Sequence, residues 1–142
     1  MYGGEIVNRQ IEEAFVRNYI VSHKRERLLF ELHGKKRQEG IGRFCHCADT
    51  LLMPSTVKAH GKYITQQLQQ QIAISKCSKC YVISIFEELD GIVLDKEEVL
   101  EAILGLGMPS IAIFDDFVIV ETEQVQGPAE KYLLAADQQK AL

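Results

Sequence analysis

Between residues 6 and 19, Val7, Ile11, Ala14, Phe15 and Tyr19 recur at three- and four-residue steps, with Arg9, Glu12, Glu13 and Arg17 in other positions. That period predicts an amphipathic helix. Leu28, Leu29 and Leu32 continue a helical pattern up to Gly34, a suitable C-terminal cap, and a break near Ser22 is left open. From Lys35 to Leu52 the stripe Ile41, Phe44, Cys45, Ala48, Leu51 and Leu52 is the cleanest helical pattern in the chain, ended by Pro54. Val57 to His60 reads as a short strand or an extended link. Ile64, Leu68 and Ile72 then give a glutamine-rich helix one narrow apolar edge.

The second half changes period. Tyr81 to Phe86 is β-branched and aromatic and is predicted as a central strand. Leu94, Asp95, Glu98 and Val99 match a hydrophobic staple and an Asp form of the capping box, so a helix is expected from Asp95 to Leu104 with Gly105 as its cap. Ser110–Phe114 and Phe117–Glu121 are strand-like runs separated by Asp115 and Asp116, the spacing of a tight hairpin. Residues 129–136 are assigned to a helix, against a competing strand through Tyr132–Leu134, and Gln138–Leu142 to a frayed tail. The predicted fold is α+β: N-terminal helices packed with a small antiparallel β-sheet of three strands, in one domain over residues 1–142.

Length agrees with that reading, because a chain of 142 residues buries roughly two thirds of its unfolded surface. The longest uncharged apolar-rich stretch, Ala102 to Phe114, has 13 residues and two glycines within it, against about 20 for a membrane span. The first ten residues lack the apolar core of a secretory signal. A cytoplasmic location is therefore expected, with Cys45, Cys47, Cys77 and Cys80 as reduced thiols.

Those cysteines raise a zinc reading, from Cys45-His46-Cys47 and Cys77-Ser78-Lys79-Cys80. Residues two apart on a helix point roughly 200° apart, which argues against Cys45 and Cys47 sharing an ion, and Cys45 belongs to the apolar stripe. No metal and no cofactor is expected. His23, His33, His46 and His60 show no ligand spacing, and adjacent Cys45 and His46 make a poor catalytic pair. Gly40 and Gly42 lack the rest of a dinucleotide motif, and Asp115 and Asp116 read as solvated turn residues. No catalytic residue can be assigned, although an enzyme assembled from distant residues stays open.

Charge is the remaining signal. Residues 1–86 carry 13 Lys or Arg against 7 Asp or Glu, whereas residues 87–142 carry 3 against 13. Glu87, Glu88, Asp90, Glu97, Glu98 and Glu101 gather around one predicted turn and helix, more acid than capping requires. The expected function is a non-enzymatic protein-binding domain, of adaptor or immunity type, docking a partner or a second copy through these acids. The alternative is nucleic-acid or phosphate binding through Lys24, Arg25, Arg27, Lys35, Lys36, Arg37 and Arg43. A pI of 5.6 and the lack of interleaved aromatics weigh against it.

Overall fold

Asn8 opens the first helix, its Oδ1 accepting the Ile11 N–H at 3.1 Å, and α1 runs over Arg9–Tyr19. The computed structural model describes residues 8–136; the expected helix start at Ile6 and Val7 and the expected tail at Gln138–Leu142 lie outside them. A break does separate α1 from the next helix. Ile20 is extended and pairs with Leu52, a 3-10 turn covers Ser22–Lys24, and α2 is Arg25–Leu32.

The stripe from Lys35 to Leu52 is not one helix. It divides at Cys47 into α3 (Arg37–His46) and α4 (Ala48–Leu51). The far end of the stripe is tied to α1, with Val21 N–H donating to Leu51 O and Met53 N–H to Tyr19 O. At the break the Cys47 carbonyl accepts from the backbone and hydroxyl of Thr50. The stripe itself is correct: Ile41, Phe44, Cys45, Ala48 and Leu52 are all buried in one core.

β1 (Val57–Gly61) is followed by α5 (Thr65–Ile74), whose Leu68 and Ile72 form its buried edge. β2 (Lys79–Ser84), β4 (Ser110–Ile113) and β5 (Val118–Glu121) are the three expected strands, and β4 and β5 form the hairpin. Phe114 N–H bonds Phe117 O at 2.9 Å across the turn, and the two rings stack. With Val93–Asp95 as β3 and Lys131–Leu134 as β6, the sheet nevertheless has six strands, all antiparallel, in the order β1-β6-β5-β4-β2-β3.

One of the additional strands replaces predicted helix and another directly precedes it. β3 is Val93–Asp95, and the helical segment starts immediately after Asp95, as expected, with a 3-10 turn over Lys96–Glu98 and α6 over Val99–Ala102, ending short of the expected Leu104. The capping box is present, Glu98 Oε1 accepting the Asp95 N–H at 3.2 Å. The assignment of residues 129–136 to a helix is also corrected: Lys131–Leu134 is β6, between β1 and β5. Leu133 points to one core while Tyr132 and Leu134 point to the other. With both faces covered, the strand shows no polar alternation to reveal it.

Helices lie on both sides of the sheet. Tyr81, Ile83, Ile111, Val118 and Val120 pack against α1 to α4, while Cys80, Val82, Ala112 and Ile119 pack under α5 and the 96–104 segment. In register, Gly61, Lys131, Glu121, Ser110 and Ser84 form one row across five strands. The connections 62–64, 85–92, 105–109 and 122–130 therefore leave the sheet at the same end. No helix among the described residues is long and apolar enough to cross a membrane.

Candidate functional site

The acidic residues collect along the edge strand β3. Glu87 and Glu88, in the connection from β2, are exposed at one end of β3. Glu97 and Glu98 are exposed at the other, beyond a strand of three residues, about 10 Å at 3.3 Å per residue. Glu101 is exposed on α6. Between the two groups Val93 is 59% exposed. Ile92 O accepts from Val82 N–H and Lys96 N–H donates to Ser78 O, so the ladder's alternation turns the backbone groups of Val93 away from β2. The nearby lysines are engaged: Lys79 pairs with Asp95, and Lys96 Nζ donates to Ala73 O and Ser75 O.

Asp90 is separate from this surface. It is 4% exposed, and both of its oxygens point inward. Its Oδ2 accepts Arg37 Nε at 2.6 Å and Gln38 Nε2 at 3.2 Å, and its Oδ1 accepts Arg37 Nη2 at 2.9 Å and Ser84 N–H at 3.1 Å.

Arg37, placed by sequence in the basic stretch, is thereby the centre of a buried network. Its other donors reach Glu12 at 2.8 and 2.6 Å and Leu32 O at 2.7 Å. Glu12, with no exposed surface, also accepts the Tyr81 hydroxyl at 2.7 Å, and that hydroxyl accepts Asn8 N–H. Burial by itself would lower the pKa of the Arg37 guanidinium, but the hydrogen bonds to Glu12 and Asp90 outweigh it and hold the pKa above the ordinary range. His33 Nε2 lies 3.4 Å from Glu12 Oε1. The network clamps α1, α3, β2 and the 85–91 turn together, a structural role.

The rest of the basic stretch is also partly committed. Arg25 Nε donates to Ile20 O, and both Arg27 and Arg43 pair with Glu31. Lys24, Lys35 and Lys36 are exposed. The structure thus does not gather the seven cations into one phosphate-facing surface.

The sheet stands between the cysteine pairs. Cys45 is buried in the core beneath α1 to α4 and Cys80 in the core on the opposite face, so the four thiols cannot share one ion. Cys47 sits at the α3–α4 junction and Cys77 in the loop before β2. Asp115 and Asp116 are exposed at the hairpin tip, and no group of three or more His, Cys, Asp or Glu among the described residues is arranged to hold a metal ion. Burial pushes the Cys80 thiol up to about 12 and the Cys45 thiol higher. The thiolate is the nucleophile, so burial that keeps both thiols protonated makes them slow to react. Iodoacetamide at pH 8 is expected to alkylate Cys47 and Cys77 first in the native protein, all four thiols reacting only in denaturant. Peptide mass mapping checks this, and early labelling of Cys80 would contradict the assigned burial.

No family model, curated protein or solved structure matches the chain.

Proposed function

We propose that the protein is a non-enzymatic, cytoplasmic protein-binding domain that docks a basic partner along the β3 edge. The observation that supports this reading is the pairing of an exposed apolar residue, Val93, with exposed acids at both ends of the same edge strand. Protein interfaces combine an apolar centre with a polar rim, and unneutralised charge at the rim speeds encounter with an oppositely charged surface. Glu87, Glu88, Glu97, Glu98 and Glu101 form the rim, whereas Asp90 acts from the interior by holding the 85–91 turn through Arg37.

The test is a pair of charge-reversed variants compared in affinity capture and in titration with RNA and DNA. Glu87→Lys/Glu88→Lys/Glu101→Lys is expected to lose a captured basic protein that the wild type retains, with wild-type association slowing as salt is raised. Lys24→Glu/Lys35→Glu/Lys36→Glu is expected to retain it. Tight nucleic-acid binding abolished by the second variant, with no effect of the first on any partner, would reverse the assignment.

A further inference from the structure

At the end of the sheet marked by Gly61, Lys131 and Glu121, the α3–α4 junction and the 122–130 connection face each other across a groove of about 400 Å³. That volume lies within the range of small-molecule sites. Its wall carries the carboxylates of Asp49, Glu123 and Glu130 against a single ammonium, Lys62, which is already donating to Gln126 O at 2.8 Å. His46 stands at the rim, exposed.

Tyr132 supplies an independent observation. The residue is only 5% exposed, its ring stacks on His60 at 4.1 Å, and His60 is itself fixed by Glu130 at 2.7 Å. Tyr132 nevertheless lines the groove, and its hydroxyl makes no hydrogen bond to any described residue. Burial, then Asp49 and Glu130, push its pKa up to about 12, so the hydroxyl stays protonated at neutral pH with its oxygen available to accept. A phenol on a groove wall with no protein partner is free to bond a ligand atom.

We propose that this groove binds a small organic cation, an alkylammonium or guanidinium compound, with Asp49 and Glu123 neutralising its charge and Tyr132 Oη accepting one of its N–H groups. An anion would meet three carboxylates, and a neutral ligand would leave them unbalanced. A bare metal ion would leave most of the groove empty.

The experiment is calorimetric titration of the full chain with spermidine and, separately, with agmatine, followed by mapping of amide shifts. Saturable one-site binding is expected, with shifts at Asp49, Glu123 and Tyr132. Asp49→Asn/Glu123→Gln should weaken it about tenfold or more, the scale of a lost charge-assisted hydrogen bond, and Tyr132→Phe by a smaller factor with the ring retained. Glu97→Gln/Glu101→Gln makes the same change of net charge on the β3 side and should leave the affinity unchanged. Absence of saturable binding with both probes would overturn the proposal, as would equal weakening in the control variant or citrate shifting the same groove amides. The partner-binding reading stands or falls on the β3-edge variants, which leave this groove intact.

Discussion

Arg37→Met is expected to destabilise the protein by about 3–5 kcal/mol, because it removes the cation and leaves Glu12 and Asp90 buried without one. The carboxylates cannot turn to solvent: Glu12 has no exposed surface and lies 2.6 Å from the guanidinium, and Asp90 is held by Ser84 N–H. Urea denaturation of the variant and wild type should show a lower midpoint with an unchanged slope, the signature of lost stability rather than a changed unfolded state. Arg37→Lys is expected to rescue only part of the loss, since an ammonium cannot bridge two carboxylates with a planar fork. Adding Glu12→Gln to Arg37→Met should cost less than the sum of the single changes, by about 1 kcal/mol or more, because the second change removes a charge the first has orphaned. A loss below about 1 kcal/mol for Arg37→Met would mean that the clamp contributes only surface electrostatics.

That clamp was not legible in the basic stretch, where a run of lysines and arginines reads as solvated helix. Its members are 25 and 53 positions apart, beyond any local pattern. One sign lay in the first helix. Glu12, Phe15, Val16 and Tyr19 follow the three- and four-residue spacing of a buried face, and all four are buried, so an acid sat within an apolar stripe and required a cation from elsewhere. The acidic cluster was legible as composition but not as surface. Glu87, Glu88, Glu97, Glu98 and Glu101 are exposed, but β3 intervenes between the groups at its two ends, and Asp90 turns inward.

Strand recognition followed composition. Tyr81–Ser84 and the 110–121 hairpin are rich in β-branched residues and bounded by turn residues, signals that survive without tertiary context. β6 has no such signal: its short apolar core lies between Lys131 and two alanines, and only pairing with β1 and β5 decides its conformation. β3 was obscured differently. The staple and capping residues Leu94 and Asp95 do introduce the helical turn, as expected, but the same two residues also pair with Cys80 and Lys79 at the sheet edge. A local signature fixed the start of one element without excluding the strand that feeds it. The groove at the other end of the sheet has no sequence signature, because Asp49, Lys62, Glu123 and Tyr132 come from four separate segments that only the strand order brings together.

The loops around the Gly61–Ser84 row depend on one residue, and Glu121→Ala is expected to cost about 3 kcal/mol. Glu121 has no exposed surface at the end of β5, and its carboxylate accepts the Gly105 N–H at 3.0 Å from both oxygens and the Gly107 N–H at 2.7 Å. Gly105 and Gly107 have φ of +88° and +73°, conformations that other residues seldom adopt, and their two alternate amides reach one anion. Removing the carboxylate strands a buried amide at Gly107. The partner of Glu121 in register on β6, Lys131, is 2% exposed and donates to Ala129 O rather than to this carboxylate. Glu121→Gln should fall between alanine and wild type, since its amide oxygen can still accept one N–H while its NH₂ faces the other. Hydrogen exchange gives the local measurement: in the alanine variant the Gly105 and Gly107 amides should exchange faster by more than the global loss of stability accounts for, while those of β4 follow the global change. Protection at Gly107 that survives in Glu121→Ala, together with stability within about 0.5 kcal/mol of wild type, would show that the backbone holds this loop without the carboxylate.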